Sequence, residues 1–374
     1  MAATEAPPTQ KKSAAKAWDD WTASTGIPVH EGFYIQDLRT LQLGWWEERQ
    51  CNAAFLKLAG QEGVSEARVT EIPAGQSLPP LKFALDEVVY VVEGRGITNI
   101  WREPGGQQTS FEWQKHSLFR LPRHHYRQLS STQGGQPARL LHFNYLPITM
   151  TSVPDPEFFF NNSFVSTDGD SSELATFYSA ATAVQRPDRE WGGGSANWVG
   201  NFFPDMRAWD KLATQVNRGA GAAAVSITFP GAPMTSHMAV FPPFTYKKAH
   251  RHGPGVVIVV PAGEGYSVMW PEGQEKQLIR WQEASVMVPP NKWWHQHFNA
   301  GGAPARYLAM HCHPGVDVYS ESVENLERDQ IEYTAEDPWI RETFAAELVK
   351  KGLEPRMPAE AYTNRDYKWT PLKV

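Results

Sequence analysis

An internal repeat constrains this chain more than any other feature of its sequence. The segment Glu87-Val-Val-Tyr-Val-Val-Glu-Gly94 returns in pattern as Val256-Val-Ile-Val-Val-Pro-Ala-Gly263, 169 positions later at both ends. Pro122 and Pro290 repeat at a spacing of 168. Two copies of one structural unit explain both offsets. The apolar runs in each copy are short and β-branched, as at 67–72, 88–92, 97–101 and 140–145. Gly and Pro, 29 of each, are spread between the runs, so the unit is made of strands closed by turns. A length of 374 residues accommodates two such units.

The expected organisation follows. Residues 1–26 read as a mobile N-terminal arm with a short helical patch near 14–21, and 27–150 as the first β unit. Residues 151–220 read as an irregular connector, broken at Glu190-Trp-Gly-Gly-Gly-Ser195, with a helix expected near 206–216. The second β unit is expected over 221–320 and a helical extension over 321–374. In that extension Asp337-Pro338 supplies an N-cap followed by proline at the first helical position, and Gly352 supplies the stop.

Composition narrows the partners. Lys and Arg total 35 against 41 Asp and Glu, a formal charge of −6, and no basic stripe interrupts the balance. No nucleic-acid or polybasic membrane partner is therefore expected. Cys51 and Cys312 are the two cysteines, far apart, which excludes a disulfide scaffold and a thiolate zinc knuckle and fits a reducing compartment. The opening residues show no apolar leader, and the longest apolar run, 256–262, is too short to span a bilayer. A cytoplasmic protein acting on a small molecule is the expectation.

The chemistry concentrates in the second copy. In Tyr246-Lys-Lys-Ala-His250-Arg-His252-Gly-Pro-Gly, extended backbone puts His250 and His252 on one face and turns Arg251 away. A third imidazole, His295, follows in Pro289-Pro-Asn-Lys-Trp-Trp-His295-Gln-His297-Phe-Asn299. Imidazole suits iron, manganese, nickel, copper or zinc, so the donors alone do not select the metal. Trp293 and His297 share strand parity with His295 and are candidates for the pocket wall. His311 and His313 share one face of a late strand and are further candidates. Asn299 is expected to hold the turn after its strand.

These strings resemble the two signatures of the cupin superfamily, G-x5-H-x-H-x3,4-E-x6-G and G-x5-P-x-G-x2-H-x3-N. The second copy matches at His250, His252 and Gly263, then at Pro290, His295 and Asn299. Phe244, Ala284 and Lys292 stand in three glycine slots, and Val256 stands where the glutamate ligand is expected. The first copy keeps Gly75, Glu87, Gly94 and Pro122 but has Leu81, Phe83 and Arg127 in the histidine slots. The resemblance implies an all-β bicupin: two jelly-roll (double-stranded β-helix) barrels with short peripheral helices, one metal site lost and one kept. It also implies a homodimer or higher homo-oligomer.

Three histidines without the carboxylate resemble, more narrowly, the ring-cleaving gentisate and 1-hydroxy-2-naphthoate dioxygenases, which implies Fe(II), O2 and a chelating oxygenated aromatic or diketone-like substrate. Three neutral imidazoles leave the +2 charge of an ion uncompensated, which favours an anionic chelating substrate. A metal-dependent lyase, isomerase or hydrolase of a sugar acid or enolisable compound is the alternative, and a non-catalytic binding bicupin the third.

Overall fold

The computed structural model describes residues 16–165, 176–179, 181–186, 195–208, 213–214, 218–311 and 327–370. In the N-terminal half, strands Cys51–Leu58, Glu66–Ile72, Ala138–Asn144, Glu87–Glu93 and Leu118–Leu121 hydrogen-bond in that order into a large sheet. Leu81–Lys82, Tyr126–Ser131, Arg95–Trp101 and Thr109–Gln114 form a smaller sheet facing it. Val89, Val91 and Leu140 from one sheet meet Ile100, Phe111, Trp113 and Leu129 from the other in one apolar core. The C-terminal half repeats the plan. Ala223–Thr228, Thr235–Phe241, Ala305–His311, Val257–Ala262 and Val286–Met287 form the large sheet. Gln277–Trp281, Gly265–Trp270, Trp294–Asn299, Ala249–His250 and Gln330–Ile331 form the small one. The architecture is the all-β one expected, two jelly-roll barrels.

The two large sheets pack on each other. Val88, Tyr90 and Leu141 meet Met238, Val257, Val259 and Leu308 in a core shared by both barrels. This explains why 88–92 and 256–260 read as continuous apolar runs rather than alternating ones. Each strand is buried on both faces, one inside its barrel and one between barrels. The halves also exchange short strands: Tyr34–Ile35 pairs with Val286–Met287, and Phe202–Phe203 pairs with Leu118–Leu121.

Backbone strain carries the repeat further than residue identity does. Gly75 and Phe244 have φ of 66° and 61°, His116 and Ala284 72° and 68°, and His124 and Lys292 58° and 59°. Each pair is 168 or 169 positions apart. The three glycine slots of the second copy thus keep the left-handed turn that glycine favours, although none holds glycine. Each such residue costs about 1–2 kcal/mol of backbone strain. At Gly94 and Gly263 glycine remains, because an added Cβ would lie 2.7 Å from the Cα of Ala138 or Ala305.

Two expectations change. From Lys16 the helical patch expected near 14–21 forms as Lys16–Ser24 and is docked rather than mobile, with Trp18 only 2% exposed and Trp21 stacked on Phe160. The expected connector supplies strands: Ser195–Val199 pairs in parallel with Ala223–Thr228, and Ala213–Thr214 pairs with the same strand where part of a helix was expected. The rest of that expected helix, from 209, lies outside the described residues apart from this strand. The C-terminal helix forms as read, Pro338–Val349, with Asp337 Oδ1 accepting from the Trp339 amide at 3.0 Å. Its buried Ile340, Phe344 and Leu348 cover the outer face of the second barrel's small sheet.

Replacing Lys292, exposed at φ 59°, by glycine relieves the left-handed strain and is partly offset by glycine's greater unfolded-state freedom. Lys292→Gly is expected to raise stability by about 0.5–1 kcal/mol in denaturant unfolding; a lower midpoint would contradict the assignment of strain.

Candidate metal centre

Strand pairing builds the histidine cluster. His250 ends the short strand Ala249–His250 and lies directly opposite His295 of Trp294–Asn299. Their ring centroids are 4.1 Å apart and their Nε2 atoms 3.2 Å apart. His252, two residues beyond, places its ring 5.7 Å from His250 and 4.7 Å from His295. One nitrogen from each of the three lies within 4.8 Å of the others.

Hydrogen bonds fix which nitrogen faces inward. His295 Nδ1 sits 3.1 Å from the Trp293 carbonyl and His252 Nδ1 2.8 Å from the Gly253 carbonyl. A carbonyl only accepts, so both Nδ1 atoms carry the proton and both Nε2 atoms carry a lone pair. Burial, then Arg218, pushes His250 well below the ordinary imidazole range, and burial, then His252, does the same to His295. Both rings are therefore neutral at pH 7. Two nitrogens each about 2.1 Å from one ion sit about 3.0 Å apart at a right angle and about 3.4 Å apart at the tetrahedral angle. The 3.2 Å between the His250 and His295 nitrogens falls between those values. The donor set fits a divalent cation.

The other expected residues surround this cluster. Val256 is 2% exposed in the barrel's apolar interior and offers no donor. Trp293 packs against the same interior cluster, its ring 5.4 Å from Phe33. His297 points inward, its Nδ1 2.7 Å from Ser267 Oγ, and burial, then Lys247, pushes it down to about 3. His311 is bonded to His237, Nε2 to Nδ1 at 2.7 Å. His313 and Cys312 lie outside the described residues. Arg251 turns out of the barrel, onto Asp329 at 2.9 Å and over the Trp294 ring at 4.4 Å. Asn299 holds the following turn through bonds to the carbonyls of Phe241, Pro242 and Ala303.

Sequence reasoning missed four interior residues. Lys247 is 3% exposed and donates to Tyr307 Oη at 2.8 Å. Tyr307 faces His297 with ring centroids 4.9 Å apart, and His237 lies behind them. Arg218, 4% exposed, donates to Gln330 Oε1 at 3.1 Å and bears electrostatically on His250, His295 and His297. Strand parity with His311 signalled Tyr307. Nothing local signalled Lys247, which follows a two-residue strand, or Arg218, which lies in the stretch read as connector.

The first barrel fills the equivalent place with ion pairs. Arg127, in the slot of His295, donates to Glu87 Oε2 at 3.0 Å and lies over the Phe83 ring. Arg68 bridges Glu87 and Glu66, and His142 Nδ1 is 3.3 Å from Glu87. Burial alone would raise the Glu87 carboxyl, but Arg68 and then Arg127 hold it well below its ordinary range. Guanidinium groups occupy the electrostatic position that an ion would take beside Glu87.

Outside the second barrel, Glu336 accepts from Tyr246 Oη and, at 3.3 Å, from Gln296, the residue between His295 and His297. Burial raises its carboxyl to about 7 against those two hydrogen bonds.

No family model matches the chain, and no curated protein does. Solved structures similar to it include a Bacillus subtilis oxalate decarboxylase, studied for its Mn(II) centres. It shares 11% identity and a TM-score of 0.49 over 91% of this chain and 88% of that one. A Lactobacillus farciminis oxalate decarboxylase in a formate complex shares 13% identity and a TM-score of 0.45 over 75% of this chain and 86% of that one. Among the described residues no helix is long and apolar enough to cross a membrane.

Two outcomes follow. Arg127→Met leaves buried Glu87 with less compensation and is expected to lower stability by roughly 3 kcal/mol in denaturant unfolding; an unchanged midpoint would show that Arg68 suffices. Because the Glu336 carboxyl is held near 7 in the fold against an ordinary 4.5, its stabilising protonated form is fully present below the unfolded value and lost as pH rises through 7. Unfolding midpoints of wild type should fall between pH 5 and 8 relative to Glu336→Gln; parallel pH profiles would contradict this.

Proposed function

We propose that the C-terminal barrel is the active site of a metal-dependent enzyme of lyase type, breaking a C–C or C–H bond beside a chelating carboxylate. The observation that carries this reading is the convergence of three imidazoles with no carboxylate among them, two of which, His250 and His295, are held neutral. His250, His252 and His295 would hold one divalent first-row ion, Fe(II) and Mn(II) being suited to such a set, as are nickel, copper and zinc. Bound there, the ion supplies Lewis-acid polarisation of a chelating oxygen pair.

The chain's own groups do the rest. Val256 keeps a fourth protein donor away, so negative charge comes from the substrate. The carbonyls of Gly253 and Trp293 hold two of the rings in the tautomer that turns Nε2 inward. Burial, then Arg218, pulls the Lys247 amine well below its ordinary range. At Nζ, in contact with Tyr307 Oη, it forms a pair able to hold or pass one proton. That pair favours lyase chemistry, which needs a proton carrier in the cavity.

The second reading is a non-haem Fe(II) dioxygenase of an aromatic or diketone-like chelator. What supports it is the same donor set, since His250, His252 and His295 alone would leave a bound ion room for a chelating substrate, and Fe(II) held there would supply redox chemistry.

Full-length protein purified without added metal is expected to carry up to one divalent ion per chain by elemental analysis, with affinity at least about 100-fold weaker in His250→Ala. Turnover of chelating acids is expected to run unchanged without air. Stoichiometric O2 consumption with loss of anaerobic turnover would transfer the assignment to the dioxygenase, and a chain that binds no ion would contradict both.

A further inference from the structure

We propose that His297 donates a hydrogen bond from Nε2–H to an anionic oxygen of the substrate chelated at the metal, and that Ser267 and Trp281 set the tautomer that makes it a donor. The inference rests on the metal reading above and adds the group that meets the substrate's charge. His297 lies two residues beyond His295 on one face of the same strand, its ring 5.7 Å from that of His295. The side chain is buried, and across the sheet it stands directly opposite Ser267, whose Oγ is 2.7 Å from Nδ1.

The hydroxyl decides where the imidazole proton sits. Ser267 Oγ accepts from Trp281 Nε1 at 3.1 Å and has a single proton to give. Two acceptors are in reach, His297 Nδ1 at 2.7 Å and the Met287 thioether at 3.3 Å. A thioether is the weaker acceptor, so the proton goes to Nδ1. Nδ1 then uses its lone pair on Ser267, and Nε2 carries the hydrogen. A cationic ring would also carry a proton at Nε2, so the donor does not depend on titration. His252 and His295 are held the opposite way, with Nδ1 protonated and the lone pair at Nε2. His297 Nε2 is therefore no fourth ligand; among the described residues it makes no hydrogen bond. A fixed N–H beside the ligand cluster suits negative charge on a chelated oxygen.

The first barrel supplies an internal comparison. Trp113 Nε1 donates to Thr98 Oγ1 at 2.9 Å, and these residues precede Trp281 and Ser267 by 168 and 169 positions. Both tryptophan rings lie against a glycine: an added Cβ would fall 2.3 Å from the Trp113 ring at Gly96 and 2.8 Å from the Trp281 ring at Gly265. Opposite Thr98 stands Leu129, 168 positions before His297. Both copies thus keep the glycine, the tryptophan and the hydroxyl it clasps. Only the copy that gathers three histidines sets an imidazole against that hydroxyl, so the clasp acquires a tautomer to hold where the site is.

Two measurements on the full-length chain test this. Nitrogen-15 NMR of histidine-labelled protein loaded with Zn(II), a diamagnetic ion, reads the tautomer; calorimetry of 2-oxobutyrate, a chelating anion, on Mn(II)-loaded protein reads the contact. Wild-type His297 is expected to show a protonated Nε2 and a bare Nδ1, and Ser267→Ala to lose that signature. His297→Leu, which installs the first barrel's residue, is expected to bind 2-oxobutyrate about tenfold or more weakly at unchanged Mn(II) content. His297→Gln, which keeps an N–H donor at the ε position, is expected to recover most of the affinity, as a purely structural role for the ring would not allow. A wild-type His297 protonated at Nδ1 alone, or undiminished 2-oxobutyrate affinity in His297→Leu, would overturn the inference while leaving the metal reading intact. If His297→Leu does not fold, the wild-type tautomer decides. A chain that takes up neither ion fails the metal reading itself.

Discussion

The direct cross-strand pairing of His250 with His295 is the contact on which the site depends. A two-residue strand, Ala249–His250, is held between Trp294–Asn299 on one side and Gln330–Ile331 on the other. The register brings two imidazoles within 4.1 Å of each other, and His252 reaches them from the following turn, where the Lys292 amide donates to its carbonyl at 2.9 Å. Slippage by one residue would turn His295 outward and Trp294 inward. The outer face opposes such slippage, because Trp294 and Phe298 are buried beneath the C-terminal helix and Gln296 bonds Glu336. The extension that looks peripheral in sequence thus locks the strand that carries His295.

The two barrels show what one scaffold does with a buried polar centre. In the first, Glu87 and Glu66 meet Arg68 and Arg127, and charges balance within the protein. In the second, Val256 stands at the carboxylate position and the imidazoles of His250, His252 and His295 converge instead. Buried ion pairs of the first kind add little net stability over apolar packing, yet losing one partner is costly. The first barrel therefore preserves its ion-pair network, while the second gathers imidazoles at the equivalent place. Shared packing between the large sheets couples both barrels into one core.

Much of this was legible in the sequence because the repeat preserves strand order and turn geometry. Continuous apolar runs at 88–92 and 256–260 reported strands buried on both faces, and the spacing of His250, His252 and His295 reported their convergence. The left-handed turns at Phe244, Ala284 and Lys292 were hidden by the absence of glycine, although their spacing from Gly75, His116 and His124 records them. Lys247 and Arg218 were unreadable for another reason. Their burial arises from tertiary packing around short irregular segments, which no local periodicity reports. The partners on which Trp18 docks were equally hidden, since Phe55 and Glu66 are distant in sequence.

The central claim is that three imidazoles from the second barrel, and no carboxylate, share one ion. Pulsed EPR of the Mn(II)-loaded full chain, which counts directly coordinated imidazole nitrogens, tests it most directly. The account predicts one ion per chain with three such nitrogens; an ion seen with fewer, or one bound through a protein carboxylate, would contradict it.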